Sequence, residues 1–179
     1  MKGIIFTELI DFIELRAGIV ELEQLLAQST LASEGAYTAV GNYPHEEAVR
    51  IVIAASEHLE IEPGELMRQF GHEIFQVFVA SYPQFFEGMN DARTFLKGIE
   101  THIHNEVRKL YPESNPPSFR VSEDGETLIL SYNSHRPMAM IALGLIEAAI
   151  IHFKESLVVI REAEAIPSEH SARFRISSG

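Results

Sequence analysis

The sequence predicts an α+β protein: a helical first two-thirds, then a small, mainly antiparallel sheet with one buried helix. Three observations carry this prediction. Apolar residues recur at helical spacing from Ile5 to Leu110. Tyr111-Pro112 and Asn115-Pro116-Pro117 then halt that pattern, because proline cannot continue a helix and restricts the residue before it. Beyond them, short β-like segments flank Asp124-Gly125, a common hairpin turn pair.

Each element follows from its own pattern. Ile5, Leu9, Phe12 and Ile13 form one stripe over residues 4–16, with acids on the opposite face. Val20 to Gln28 reads as a second short helix, and Ser33 to Tyr43 as a glycine-containing loop. Pro44 opens a helix through about His58, and Pro63 sits near the start of another, with Leu66, Phe70, Ile74, Val77 and Phe78 on one face. Asp91 caps a long helix reaching Leu110, striped by Leu96, Ile99, Ile103, Val107 and Leu110. Phe119 to Val121 and Leu128 to Tyr132 pair as strands. Met138 to Phe153 is apolar on nearly all sides, as a buried helix is. Leu157 to Arg161 and Arg173 to Ser177 complete the sheet. The whole is expected to be one domain, residues 1–179, with a helical part to about 112 and a sheet-containing part from about 113.

Composition narrows the function. The 179 residues carry 26 acids against 14 Lys and Arg, a net charge of −12 that repels phosphate backbones and argues against nucleic acid. With no cysteine, disulfides, thiolate metal sites and Cys nucleophiles are excluded, which suits a reducing cytoplasm. The N-terminus begins like a signal peptide, but Glu8, Asp11 and Glu14 interrupt its apolar run. Met138 to Phe153 contains Glu147 and is shorter than the roughly 20 residues a bilayer requires, so no membrane span is expected. Nor are there coiled-coil heptads or a long exposed apolar strand, so a monomer is expected.

Two constellations carry chemistry. In Tyr132-x-Ser134-x-Arg136, strand alternation would project a phenol, a hydroxyl and a guanidinium to one side. Three donors with one fixed positive charge suit a carboxylate, although taken alone the triplet is ordinarily a polar strand end. The second is His104. A neutral imidazole on a rigid helix suits an axial position on haem iron. His102 flanks the same apolar stripe at a similar angle, roughly 100° away on the other side, and geometry leaves the choice between them open.

His104-x-x-Val107-x-Lys109-Leu110-Tyr111-Pro112, Pro116-Pro117-x-Phe119 and Tyr132-x-Ser134-x-Arg136, taken in this order, resemble the haem-nitric oxide/oxygen binding family. The opening Met1 to Phe6, Phe70-Gly71 and Gly144-Leu145-Ile146 are similar to it as well, so the likeness runs over the whole chain. The resemblance implies haem b held between the two parts of the fold. Its iron would be ligated by His104 rather than His102, and its propionates bound by Tyr132, Ser134 and Arg136. It further implies that Ile5 and Pro117 press the haem out of planarity. Absence of Trp is one departure, since some members carry it near the N-terminal helix.

Gas choice depends on the distal side. Oxygen-binding members resemble one another in a distal Tyr five residues after the motif Arg; here that position is Ile141. Leu9, Ile74, Phe78 and Leu145, the other distal candidates, are apolar too, so binding of nitric oxide and carbon monoxide without oxygen is expected. The resemblance is to standalone bacterial sensors, in which nitric oxide releases the proximal histidine and the changed surface regulates a histidine kinase or a diguanylate cyclase. No enzyme is expected. A peroxidase-type haem enzyme would need a distal acid–base group, and His72 is placed opposite the apolar face of its helix. His152 shares a stripe with Ile141 but lies about 16 Å further along the axis. A haem carrier, or a module for another carboxylate ligand, is the other alternative.

Overall fold

The computed structural model describes residues 1–163 and 168–179. They pack as two compact units, Met1–Phe70 and Gly71–Gly179, and the expected α+β fold is present. Helices continue to Leu110 and the sheet begins at Ser118, but the boundary between units falls inside a helix at residues 70 and 71.

The first unit is helical: α1 Gly3–Ala17, α2 Ile19–Gln28, α3 His45–Leu59 and the opening of α4 Pro63–Ser81. Phe6, Leu9, Phe12 and Ile13 of α1 are buried, as their spacing requires, and the Phe12 and Phe70 rings meet edge to face at 5.5 Å. The loop before α3 crosses the start of α1 so closely that a side chain on Gly3 would collide with the Thr38 carbonyl. Glu47 locks this loop. Its Oε2 accepts hydrogen bonds from the Ser33 and Tyr37 hydroxyls at 2.5 and 2.6 Å, and the residue is 2% exposed.

The second unit contains the remainder of α4, a 3₁₀ turn Pro83–Phe85, α5 Ala92–Gly98, a π-helical turn Ile99–Ile103, α6 His104–Leu110, four strands and α7 Ala139–His152. Asp91 caps α5 as predicted, accepting from the Thr94 N–H at 2.7 Å. The long helix expected up to Leu110 is present as an uninterrupted helical run from Ala92, but it contains the π turn, a widened i→i+5 geometry that periodicity does not reveal.

Strands β1 Ser118–Asp124, β2 Thr127–Asn133, β3 Leu157–Arg161 and β4 Ser171–Ser178 form one antiparallel sheet in the order β1-β2-β4-β3. Gly125, at φ +58°, takes the first central position of the two-residue turn between β1 and β2. Leu128, Leu130 and Tyr132 of β2 stand opposite Ile176, Phe174 and Ala172 of β4, giving one buried face. That face shares a core with Ala142, Leu143, Ile146, Ala149 and Ile150 of α7. Apart from Ile151, the helix is as enclosed as its composition predicts. Among the described residues no helix is long and apolar enough to cross a membrane.

Candidate functional site

The site in the second unit is built around the π turn. His104 is the first residue of α6, and its Nδ1 lies 3.1 Å from Glu100 Oε2. Glu100 is a hub. Its Oε1 accepts from Arg108 at 2.8 Å, and its Oε2 also accepts from the backbone N–H of Phe119 at 3.2 Å. Burial pushes the Glu100 carboxyl up, but these three donors together outweigh it and hold the group below its usual range. Burial pushes the His104 imidazole down, and the Glu100 carboxylate opposes this only in part. The ring is therefore kept neutral, with Nδ1 engaged and Nε2 left to bind a ligand.

His102 and His104, two residues apart, point to different sides of the helix and meet different neighbours. His104 stands above Glu100, whereas His102 Cβ lies beside Gly98, on the other side of the helix. His102 Nε2 is buried without a hydrogen-bond partner among the described residues.

From His104 a row of rings leads into the sheet. The Phe119 ring is 5.9 Å from His104 and 5.5 Å from Tyr132. Tyr132 is buried, which raises its phenol pKa and keeps it a proton donor, and the Ser134 hydroxyl interacts with it. Here the sequence prediction needs correction. Strand β2 ends at Asn133, so simple alternation does not carry Arg136 to the same side. A local turn follows the strand instead. The Arg136 N–H donates to Ser134 Oγ at 3.1 Å, and one guanidinium nitrogen donates to the Asn115 carbonyl at 2.7 Å. Arg136 Nε is buried with no acceptor among the described residues. Pro117 lies in the loop between α6 and β1, two residues before Phe119, and is half-buried.

The apolar candidates of this unit line two helices. Gly71, Ile74 and Phe78 share one face of α4, and Ile141 and Leu145 sit a turn apart on α7. The helices approach so closely at Gly71 that a Cβ there would lie 2.5 Å from the Ile141 carbonyl oxygen, 2.9 Å from Gly144 Cα and 3.0 Å from the Leu145 nitrogen. Ile74 is buried, while Phe78, Ile141 and Leu145 are half-buried. In the first unit, Ile5 and Leu9 lie one turn apart on α1, Ile5 half-buried and Leu9 buried.

His72, opposite the apolar face of its own helix, is 32% exposed rather than fully solvent-facing: its Nε2 lies 2.8 Å from Glu147 Oε2 on α7, a partner brought near by the same close helix approach. His152 is enclosed by the Phe75, Phe86 and Phe153 rings at 5.0–5.7 Å. Among the described residues no three His, Asp or Glu side chains cluster to hold a bare metal ion. Glu100 and Arg108 were missed by the sequence reading, although each stands one turn from His104, where a helical neighbour belongs.

A model of a haem-NO-binding family matches residues 2–161. An H-NOX protein from K. algicida, solved in the unliganded Fe(II) form, is 34% identical with a TM-score of 0.94, over 100% of this chain and 97% of that one. The H-NOX of Shewanella woodyi, solved in the Fe(II)CO state with IWP-051 bound, is 36% identical with a TM-score of 0.83, over 100% and 95%. An H-NOX protein from S. oneidensis in the Fe(II)NO state shares the fold at 24% identity and a TM-score of 0.88, over 99% and 98%.

Proposed function

The chain belongs to the haem-NO-binding family of haem-based gas sensors, and on that premise we propose that it binds nitric oxide and carbon monoxide at a ferrous haem b ligated by His104. Residues 1–179 act as one sensing domain that excludes oxygen and regulates a separate signalling protein, a histidine kinase or a diguanylate cyclase. The observation that carries this reading is the Glu100–His104 pair. An imidazole held through Nδ1 by a carboxylate is oriented and made more basic at Nε2, the arrangement that supports a metal-ligating histidine.

The residues present fit the group. Arg136 Nε is a buried cationic donor lacking an acceptor, and Tyr132 and Ser134 add two hydroxyls, so together they suit the haem propionates. Haem iron, when bound, supplies the gas site itself. The chain's own part is to hold the iron through His104, grip the carboxylates, and present hydrocarbon to the gas. Ile74, Phe78, Ile141 and Leu145 offer no hydrogen-bond donor, which disfavours the partial charge of bound oxygen more than it disfavours nitric oxide or carbon monoxide. On the family resemblance Leu9 is a further apolar candidate for the gas side, and Ile5 and Pro117 are candidates for pressing the haem out of planarity. His104 opens α6 directly after the π turn, so a change at its ring reaches both Arg108 and the Phe119 backbone through Glu100. Such a link suits a population shift read by a partner in the cytoplasm.

Absorption spectra of the ferrous protein under argon, air and nitric oxide, beside a His104→Ala variant, test this. A haem spectrum indifferent to air, altered by nitric oxide and lost or weakened in the variant is the expected result. A stable oxygen complex would overturn the distal reading, and a colourless protein the whole of it.

A further inference from the structure

We propose that the corner where α1 meets α2 docks a partner protein that presents Lys and Arg side chains around an apolar centre. The corner lies within the first unit, over residues 15–20. Leu15 lies near the end of α1, Gly18 turns the chain at φ +96°, and Ile19 and Val20 open α2. Leu15 is 82% exposed, Val20 57% and Ile19 52%. One exposed leucine means little, since apolar atoms make up much of any surface. Three large aliphatic side chains within six residues, at a single helix junction, form a patch. The fold does not need them: α1 buries Phe6, Leu9, Phe12 and Ile13, and α2 buries Leu22 and Leu25.

Charge decides what covers this patch. Glu8, Asp11, Glu14, Glu21 and Glu23 surround it in sequence, against Arg16 alone, whose guanidinium lies 3.7 Å from the centre of the Phe12 ring. Asp11 and Glu23 are exposed and lie one turn from Leu15 and Ile19 on the same helix faces, and Glu14, also exposed, adjoins Leu15 in sequence. The asymmetry extends over the unit. Residues 1–70 carry 12 Asp and Glu against 4 Lys and Arg, whereas residues 71–179 carry 14 against 10.

This rim repels phosphate backbones and anionic lipid headgroups. It also repels a second copy of itself, because an isologous contact would set two identical acidic rims face to face. The complementary surface is a protein face with basic residues around aliphatic ones. There, charge steers the encounter and the Leu15–Ile19–Val20 centre supplies the desolvated contact. The inference names the chemistry of the regulated partner and rests on the sensor reading for that partner's role alone.

The test uses the full haem-loaded chain and two synthetic Leu/Lys peptides, one amphipathic as a helix and one of the same composition in scrambled order. Calorimetry and amide NMR follow binding at about 50 mM and about 500 mM salt. The amphipathic peptide is expected to saturate, to shift amides confined to residues 8–23, and to bind at least tenfold more weakly at the higher salt. The triple variant Leu15→Ser, Ile19→Ser, Val20→Ser is expected to lose at least tenfold in affinity while its circular dichroism and haem spectrum stay unchanged. Equal binding by that variant, equal binding of the scrambled peptide, shifts centred elsewhere, or no binding at all would overturn the proposal. So would concentration-dependent self-association, seen by sedimentation and abolished in the variant, because it would assign the patch to a second copy. A chain that carries no haem would sink the sensor reading separately, and the peptide arms would still report on the patch.

Discussion

Glu100 Oε2 lies 3.1 Å from Nδ1 of His104, one turn further along, and the two are held together across a π-helical segment. The same carboxylate ties α6 to β1 through the Phe119 N–H and to Arg108. A single side chain therefore fixes the ring's orientation, its tautomer and the docking of the strand that leads to Tyr132. Removing it leaves three donors unsatisfied at once. Glu100→Ala is expected to lower stability by about 2 kcal/mol, given the strength of hydrogen bonds to a charged acceptor. Urea unfolding measures this, and a change below about 0.5 kcal/mol would mean that the hub is a solvated surface pair.

Arg136 makes a second prediction, for the haem-loaded protein. Its fork donates to the Asn115 carbonyl through one nitrogen and keeps Nε buried without an acceptor. Lysine is a point charge and cannot reproduce that fork. Arg136→Lys is expected to speed haem loss to an excess of a haem-scavenging globin by about tenfold, and Arg136→Ala by more. If Arg136→Lys releases haem no faster than the parent, the guanidinium is not gripping a carboxylate.

Gly71 sets two opposing terms against each other. Alanine is the better helix former by about 1 kcal/mol. Yet its Cβ would meet backbone atoms of α7, the Ile141 oxygen at 2.5 Å and Gly144 Cα at 2.9 Å, and backbone cannot yield as a flexible side chain does. Overpacking of this kind costs about 1–3 kcal/mol. Gly71→Ala is therefore expected to be net destabilising, by about 1 kcal/mol, with a lower thermal midpoint; an unchanged or raised midpoint would show that the helices separate freely.

The buried Glu47 predicts a pH dependence. Burial pushes its carboxyl up, but the hydrogen bonds from Ser33 and Tyr37 prevail and hold it below the ordinary value. A depressed carboxylate pKa contributes stability that is present above the unfolded value and is lost as pH falls through the folded one. Stability is therefore expected to decline more steeply below about pH 4.5 in the parent than in Glu47→Gln. Denaturant unfolding between pH 6 and pH 3 checks the sign; parallel curves would remove Glu47 from the acid response.

Much of this was legible from residues alone. The helices from Gly3 to Ser81 were readable because burial of one face imposes a 3.6-residue repeat. The hairpin at Gly125 was readable because few residues tolerate its backbone, and the end of α6 because of Tyr111-Pro112. The sequence by itself also determined the charge, the absence of thiol chemistry and the order of the motif residues.

Only tertiary structure decided the rest. The π turn leaves no repeat to detect, since it shifts register by one residue within a continuous apolar stripe, and only the fold shows that His104, not His102, has Glu100 as its partner. Arg136 is tied to Ser134 by a turn in which its backbone N–H donates to the Ser134 hydroxyl, not by strand alternation. His72 meets Glu147 because two glycines let α4 and α7 come together, a contact between residues 75 positions apart. Local periodicity reports which way a side chain points from its own element. What it meets there depends on the element that packs against it, and that is fixed only when the chain folds.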